Sequence, residues 1–268
     1  MIKEVKVKTA LSPSKLPGLE YALNPYRGCE HACVYCYAPS VIHWDKEKGE
    51  WGELVEAKVN LPRILSKELR VKKKGVAGLG TVTDPYQPAE KKYEITRRCL
   101  ELLLLHDFPV CIQTKSSLVL RDMDLLKKFT NIEVGITLTT LDDSARVKME
   151  PGASTVEERL RTLEELSKNG INTWVFLGPV MPYITDVDTL VDSIAKVKPK
   201  YVLVDKLRLK EGVWEKVRGF IAEFKPELLA DYERIFLREE DYYTEVFEKV
   251  LRGCEEKGVR CEVNRFGD

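Results

Sequence analysis

Three cysteines within eight residues, Cys29, Cys33 and Cys36, are the part of this chain best equipped to do chemistry. They stand in NPYRGCEHACVYCYAP with C-x₃-C-x₂-C spacing. Three thiolates on one short loop can each take a different iron of a four-iron cluster. The fourth iron then has no protein ligand and is open to a substrate or cofactor, much as an open position makes a zinc site catalytic. Structural zinc is the competing reading, with His31 or His43 as the fourth ligand. Zinc-binding chains usually add a second C-x₂-C or a His pair, and Cys254 and Cys261, seven apart, supply neither. The Pro, Arg, Gly and His of the same window do not describe a core strand, which argues against three unrelated packing cysteines.

The elements that must position this loop alternate between strand and helix patterns. Tyr21–Gly28 reads as a first strand running into the cysteines, and Asn60 before Pro62 signals a helix over Pro62–Lys72. Gly75–Thr83 reads as a strand ending in the turn DPYQP, followed by a helix over Ala89–His106 with Ile95, Cys99, Leu102 and Leu103 on one face. Strands at Val110–Lys115, Glu133–Thr140, Asn172–Met181 and Tyr201–Leu209 alternate with helices at Leu118–Phe129, Ser154–Lys168 and Asp186–Lys198. Ser154 and Glu157 form a candidate capping box, with Gly170 as the stop. The rest, Val213–Gly258, reads as helical, with a short strand at Arg260–Val263. Its run Phe236–Phe247 reads as a packed amphipathic helix.

Six strand–helix units predict parallel strands with right-handed crossovers. Cys111, Gln113 and Lys115 alternate with Val110, Ile112 and Thr114, and Gly135, Thr137 and Thr139 with Val134, Ile136 and Leu138. A strand sandwiched between helical layers is apolar on both faces. One polar face therefore favours a partly hydrated lumen: an α/β fold built as a partial (β/α)6 TIM-like barrel, with chemistry at the strand C-termini. Residues 1–210 are expected to form this core and 211–268 a helical C-terminal extension of the same domain.

Composition narrows the function classes. The chain has 268 residues, 44% of them hydrophobic, enough for a sizeable core. Its 43 basic residues balance 43 acidic ones, so total charge gives no support for a nucleic-acid partner, and the patch Arg70–Lys74 (RVKKK) reads as a solvated helix end. No apolar run approaches the roughly 20 residues of a membrane span, and the N-terminus lacks a secretory pattern, so a cytoplasmic protein is expected. Seven cysteines, three in one window, fit a reducing compartment with a metal site better than a disulfide framework.

The C-x₃-C-x₂-C spacing, with aromatic Tyr35 before the third cysteine, resembles the radical S-adenosylmethionine (SAM) superfamily. The resemblance implies a [4Fe–4S] cluster on Cys29, Cys33 and Cys36, with SAM chelated at the open iron and cleaved reductively to a 5′-deoxyadenosyl radical. PSKLPGLEYALNPYRGCEHACVYCYAP, GTVTDPYQPAEKKYEITR and QTKS are further similar to spore photoproduct lyase-like, or DNA repair photolyase-like, proteins. That likeness covers the first half of the chain. It implies SAM contacts from Tyr35, from Thr83 or Asp84 in Gly80–Asp84, from Lys115 to the methionine carboxylate, and from Thr137 or Thr139. Gly178–Pro182 (GPVMP) would meet the adenine through its backbone. Tyr35 and Tyr37 occupy the places of the two tyrosines that flank the third cysteine in the lyase.

One departure is plain: the lyase's hydrogen-donor cysteine has no counterpart in GTVTDPYQP. Cys99 and Cys254 lie on apolar helix faces and read as core, Cys111 lies about 13 Å below Lys115 along its strand, and Cys261 has no evident partner. A radical SAM enzyme acting on nucleic acid, a peptide or a small molecule, with ferredoxin or flavodoxin as reductant, is the leading expectation. An iron–sulfur electron-transfer or regulatory protein without SAM chemistry is the alternative, and a zinc-stabilised binding module the third.

Overall fold

Pro and Gly punctuation and short Val/Ile/Leu runs cut the chain into the units that the computed structural model builds; it describes residues 1–45, 47, 49–238 and 241–264. In chain order these are β1 (Ile2–Val5), β2 (Ser12–Pro13), β3 (Tyr21–Leu23), β4 (Tyr26–Arg27), α1 (Ala38–Val41), β5 (Val55–Lys58), α2 (Leu61–Glu68), β6 (Ala77–Leu79), α3 (Glu90–Tyr93), α4 (Ile95–Leu105) and β7 (Val110–Thr114). There follow α5 (Met123–Leu126), β8 (Ile132–Leu138), α6 (Asp143–Met149), α7 (Val156–Lys168), β9 (Asn172–Val180), α8 (Val187–Lys196), β10 (Tyr201–Lys206), α9 (Val213–Phe224), α10 (Leu229–Leu237), α11 (Tyr243–Glu256) and β11 (Cys261–Val263).

The main sheet has the order β11-β10-β9-β8-β7-β6-β3-β2. Every pairing is parallel except that of β2 with β3. From β3 to β11 the order never reverses, so right-handed crossovers deliver successive helices to the same face. On that face Val110, Ile112, Val134, Ile136, Val175, Leu177, Val202 and Val204 form one core with Leu65, Leu103, Leu166, Ile194 and Val250 from α2, α4, α7, α8 and α11. The opposite face carries Gln113, Thr137, Phe176 and Asp205 into a cavity. The α/β, mostly parallel expectation holds; the sheet is open, with β2 and β11 as its ends among the described residues.

Several boundaries move, each for a local reason. The expected strand Tyr21–Gly28 splits at Asn24–Pro25, because Pro25 has no N–H for a ladder. β3 stays in the main sheet while β4 joins a second sheet, β1-β5-β4, which feeds the cysteine loop. Asn60 does not cap α2, since its side-chain amide is spent on Val7: Val7 N donates to Oδ1 (2.8 Å) and Nδ2 donates to Val7 O (2.9 Å). The helix expected over Ala89–His106 breaks at Glu94, where φ is +49°. The capping box shifts by one residue, to Thr155 and Glu158. Ser154 Oγ already accepts from Ser117 N (2.9 Å), which leaves Thr155 free to cap. Helix α6 arises in a stretch read as a connection, capped by Asp142.

The C-terminal stretch expected to be helical contains three helices and then β11, which adds a seventh parallel strand beside β10. The amphipathic run Phe236–Phe247 includes Glu239 and Glu240, which lie outside the described residues; Tyr243 and Phe247 pack on the core. Cys99 and Cys254 are core residues, as expected. Cys261, expected to have no partner, packs against the core that contains Cys254. No helix among the described residues is long and apolar enough to cross a membrane.

Candidate functional site

The cysteine loop leaves β4 through Gly28, where φ is +87° and an added Cβ would lie 2.4 Å from Leu54 O. Only glycine takes that backbone cheaply. Beyond it the loop is tied down on two sides. From the end of β6, Thr83 Oγ1 donates to Gly28 O (2.6 Å), Gln87 Nε2 donates to the same carbonyl (3.2 Å), and Gln87 Oε1 accepts from Glu30 N (2.9 Å). From the end of α6, Met149 O accepts from Val34 N (2.9 Å), and Gly152 N donates to His31 O (3.3 Å).

Cys29, Cys33 and Cys36 are all free, the first two buried. They line one cavity of about 490 Å³ together with His31, Trp51, Asp84, Lys115 and Thr137. Burial pushes each thiol up, Cys33 to about 12, and the charge of Cys36 raises both Cys29 and Cys33 further. The Lys115 ammonium opposes the rise at Cys33 and Cys36. Three crowded thiolates are therefore unstable here without added positive charge, and a cationic iron centre is what such a set fits. Among the described residues no three His, Cys, Asp or Glu side chains close on a single-ion site.

Asp84 ties the ends of β6 and β7 together. Its Oδ1 accepts from Thr114 Oγ1 (2.7 Å) and Tyr86 N (2.8 Å), and Oδ2 accepts from Lys115 N (2.8 Å). His31 Nδ1 lies 3.2 Å from Oδ2, buried but without hydrogen-bond alignment. Burial pushes the Asp84 carboxyl up, yet neighbouring His31, the Thr114 hydroxyl and the Lys115 amide outweigh it and bring it to about 2.

Lys115 projects from the end of β7, with Nζ 5.7 Å from the centre of the Tyr35 ring. Among the described residues its ammonium makes no hydrogen bond or ion pair. Burial works against that charge, but Cys33, Glu150 and Asp84 hold it protonated. Beneath it lies a buried network: Tyr35 Oη donates to Glu150, and Glu150 pairs with Arg159. Thr139 Oγ1 donates to Glu150 Oε1 (3.1 Å), and Arg159 Nη1 donates to Thr137 O (3.2 Å).

Of the sequence-derived candidates, Cys29, Cys33, Cys36, Tyr35, Tyr37, Thr83, Asp84, Lys115 and Thr137 all line the cavity. Thr139 does not, being turned into the Glu150 network. Thr137 Oγ1 accepts from Gln113 Nε2 (3.4 Å). Tyr37 is 44% exposed at the rim, with Oη donating to Thr81 O (3.2 Å). Gly178 and Pro179, joined by a cis peptide, also reach the wall. Cys111 is not among the lining residues; it sits beside Trp174, whose ring fills the space over Gly135. Sequence reasoning missed Gln87, Trp51, Glu150 and Arg159. Only Glu150, an acid inside the apolar-flanked turn MEPG, offered a weak signal.

The comparisons with known proteins concern this same region. Residues 23–194 match the model of the Radical SAM superfamily. An uncharacterized protein of Methanocaldococcus jannaschii is 38% identical over 190 residues, 71% of each chain. A radical SAM Nα-GlyT isomerase of Pseudomonas phage M6 is 28% identical over 68% of this chain, which spans 38% of that protein. Spore photoproduct lyase complexed with dinucleoside spore photoproduct shares the fold, with a TM-score of 0.74 at 14% identity over 98% of this chain and 81% of that one. With its three cysteines inside the matched span, the chain belongs to the radical SAM superfamily and is an enzyme of that class.

Proposed function

We propose that Cys29, Cys33 and Cys36 hold a [4Fe–4S] cluster, that SAM binds beside Lys115, and that the substrate is a nucleic acid. One observation carries the reading: three free, crowded cysteines share a cavity with an ammonium that no carboxylate or carbonyl among the described residues engages. When bound, the reduced cluster and SAM supply a 5′-deoxyadenosyl radical. Lys115 is placed to take a carboxylate, and the Thr137 hydroxyl to accept or donate one hydrogen bond. Thr83 and Asp84 spend their polar atoms on Gly28, Thr114 and Lys115, so they hold the cavity walls in register. Thr139 acts on the same walls from behind, through Glu150. Tyr35 carries Lys115 on its ring, while the Tyr37 phenol reaches the mouth and is the one placed to meet substrate.

Among the described lining residues, the cations Lys15, Lys115 and Lys210 have no carboxylate partner, while Asp205 is paired with Arg208 and Asp84 accepts from Thr114, Tyr86 and the Lys115 amide. That local excess suits phosphates. A structure that shares the fold, that of a lyase complexed with a dinucleoside photoproduct, is in keeping with that substrate class. Among the described lining residues the cluster cysteines are the only thiols, so we read the reaction as one that does not end on a cysteine hydrogen donor. Helices on one face and polar groups on the other support the partial (β/α)6 barrel, with residues 211–268 extending the same domain. A cytoplasmic setting, with ferredoxin or flavodoxin as electron source, fits free thiols and a reducible cluster.

The test is anaerobic reconstitution with iron and sulfide, reduction, and addition of SAM. Release of 5′-deoxyadenosine that is lost in the Cys29→Ala/Cys33→Ala/Cys36→Ala variant is the expected result. A cluster that forms but leaves SAM intact would move the protein to the electron-transfer class. A colourless protein with one zinc per chain would defeat both.

A further inference from the structure

The chain that follows the cluster cysteines folds back over them and places two indoles against the loop. Trp44 and Trp51 meet edge to face, with centroids 5.2 Å apart and planes at 89°. Trp44 Nε1 donates to Gly49 O (2.9 Å), and its ring faces the Arg27 guanidinium at 5.6 Å. Trp51 is different. Only 7% exposed, it packs with Cys29, Cys36 and Ala38 and lines the same cavity as the three cysteines. Its Nε1 is buried, and among the described residues no group satisfies it.

Such an N–H costs about 1–3 kcal/mol when nothing accepts from it. Cys36 packs in the same small cluster as the Trp51 ring, and both line the cavity, so its sulfur is an acceptor within the indole's surroundings. A neutral thiol is a weak acceptor, whereas an iron-bound thiolate is a strong one.

Resting on the cluster assignment above, we propose that Trp51 Nε1–H donates to the sulfur of Cys36 when that sulfur ligates iron, and so sets the reduction potential of the cluster. Hydrogen bonds to cluster sulfurs favour the reduced form, which carries the extra negative charge. Trp51 is thus a positioning residue for electron entry, acting through Cys36. Trp44 braces the indole from its edge and keeps its own N–H on the loop backbone.

The experiment is an EPR-monitored redox titration of the reconstituted holoenzyme, with iron content measured in parallel. Trp51→Phe keeps the ring and deletes the donor; it should retain iron and lower the reduced-to-oxidised ratio at fixed potential about tenfold, a shift of about 59 mV to more negative values. Trp44→Phe should leave the midpoint unchanged. If Trp51→Phe loses its cluster, wild-type protein carrying indole-¹⁵N tryptophan decides: a ¹⁵N hyperfine coupling to the reduced cluster is expected and should persist in Trp44→Phe. A loaded Trp51→Phe with an unchanged midpoint, equal shifts in both variants, or no ¹⁵N coupling overturns the inference alone. Failure of the wild-type protein to take up any cluster overturns it together with the cluster assignment.

Discussion

Lys115 and Glu150 interact electrostatically yet differ in what their loss should do. The Lys115 ammonium is held charged in a cavity yet has no hydrogen-bonding partner among the described residues, so removing it strands no other group. A charge-assisted hydrogen bond contributes about 1.5–3 kcal/mol. Lys115→Ala should therefore weaken SAM binding by about 10- to 100-fold, measured anaerobically by equilibrium dialysis, with iron content unchanged. Unaltered affinity would remove Lys115 from the SAM site. Glu150 is the opposite case: fully buried, it neutralises Arg159, which is 1% exposed. Breaking one side of a buried pair leaves an uncompensated charge and costs about 3–5 kcal/mol. Glu150→Gln should lower the urea midpoint accordingly even before any cluster is added, and a loss under 1 kcal/mol would mean that water reaches Arg159.

At the scale of elements, the cysteine loop depends on two neighbours that clamp its backbone, the turn after β6 and the turn after α6. Gly152 belongs to the second, and an added Cβ there would lie 2.0 Å from Glu30 O and 3.0 Å from His31 Cα. Those are backbone atoms of the loop itself, so the clash cannot be relieved by turning a side chain. Gly152→Ala should displace the loop, and the expected outcome is a folded protein by far-UV circular dichroism that retains less than half of the wild-type iron after reconstitution. Full iron retention would show that the clamp is not needed. The strand–helix alternation and the cysteine loop were legible in the sequence because each is written in local periodicity or spacing. The clamp was not, since it joins residues near 30, 87 and 150, and no period links them. Thr155 in place of Ser154 as the helix cap shows the same limit: both residues have a Glu three positions on, and the choice falls to a contact with Ser117. The Tyr35–Glu150–Arg159–Thr139 network likewise needs four segments to meet before any member has a role.

For the whole molecule, a formal net charge of zero hides an uneven distribution. Lys15 precedes β3 and Lys210 follows β10, yet both line the wall of one cavity, where they stand exposed. A polyanion approaching that mouth meets two lysines contributed by strands that lie five places apart in the sheet order. Each lysine that neutralises a phosphate of a single strand releases counterions and adds about 0.7 to the slope of log K against log salt. Lys15→Ala/Lys210→Ala should therefore bind a single-stranded oligonucleotide more weakly, with a slope shallower by about 1.4. Both residues lie outside the cluster loop, so iron content and 5′-deoxyadenosine release without substrate should match wild type. A control at Arg70 and Lys73, both exposed beyond α2, should leave the slope untouched. If the control changes the slope as much as the cavity pair does, the binding is diffuse attraction to surface charge. If neither changes it, the phosphates are not held at this mouth, and a peptide or small-molecule substrate becomes the better reading of the same radical-generating site.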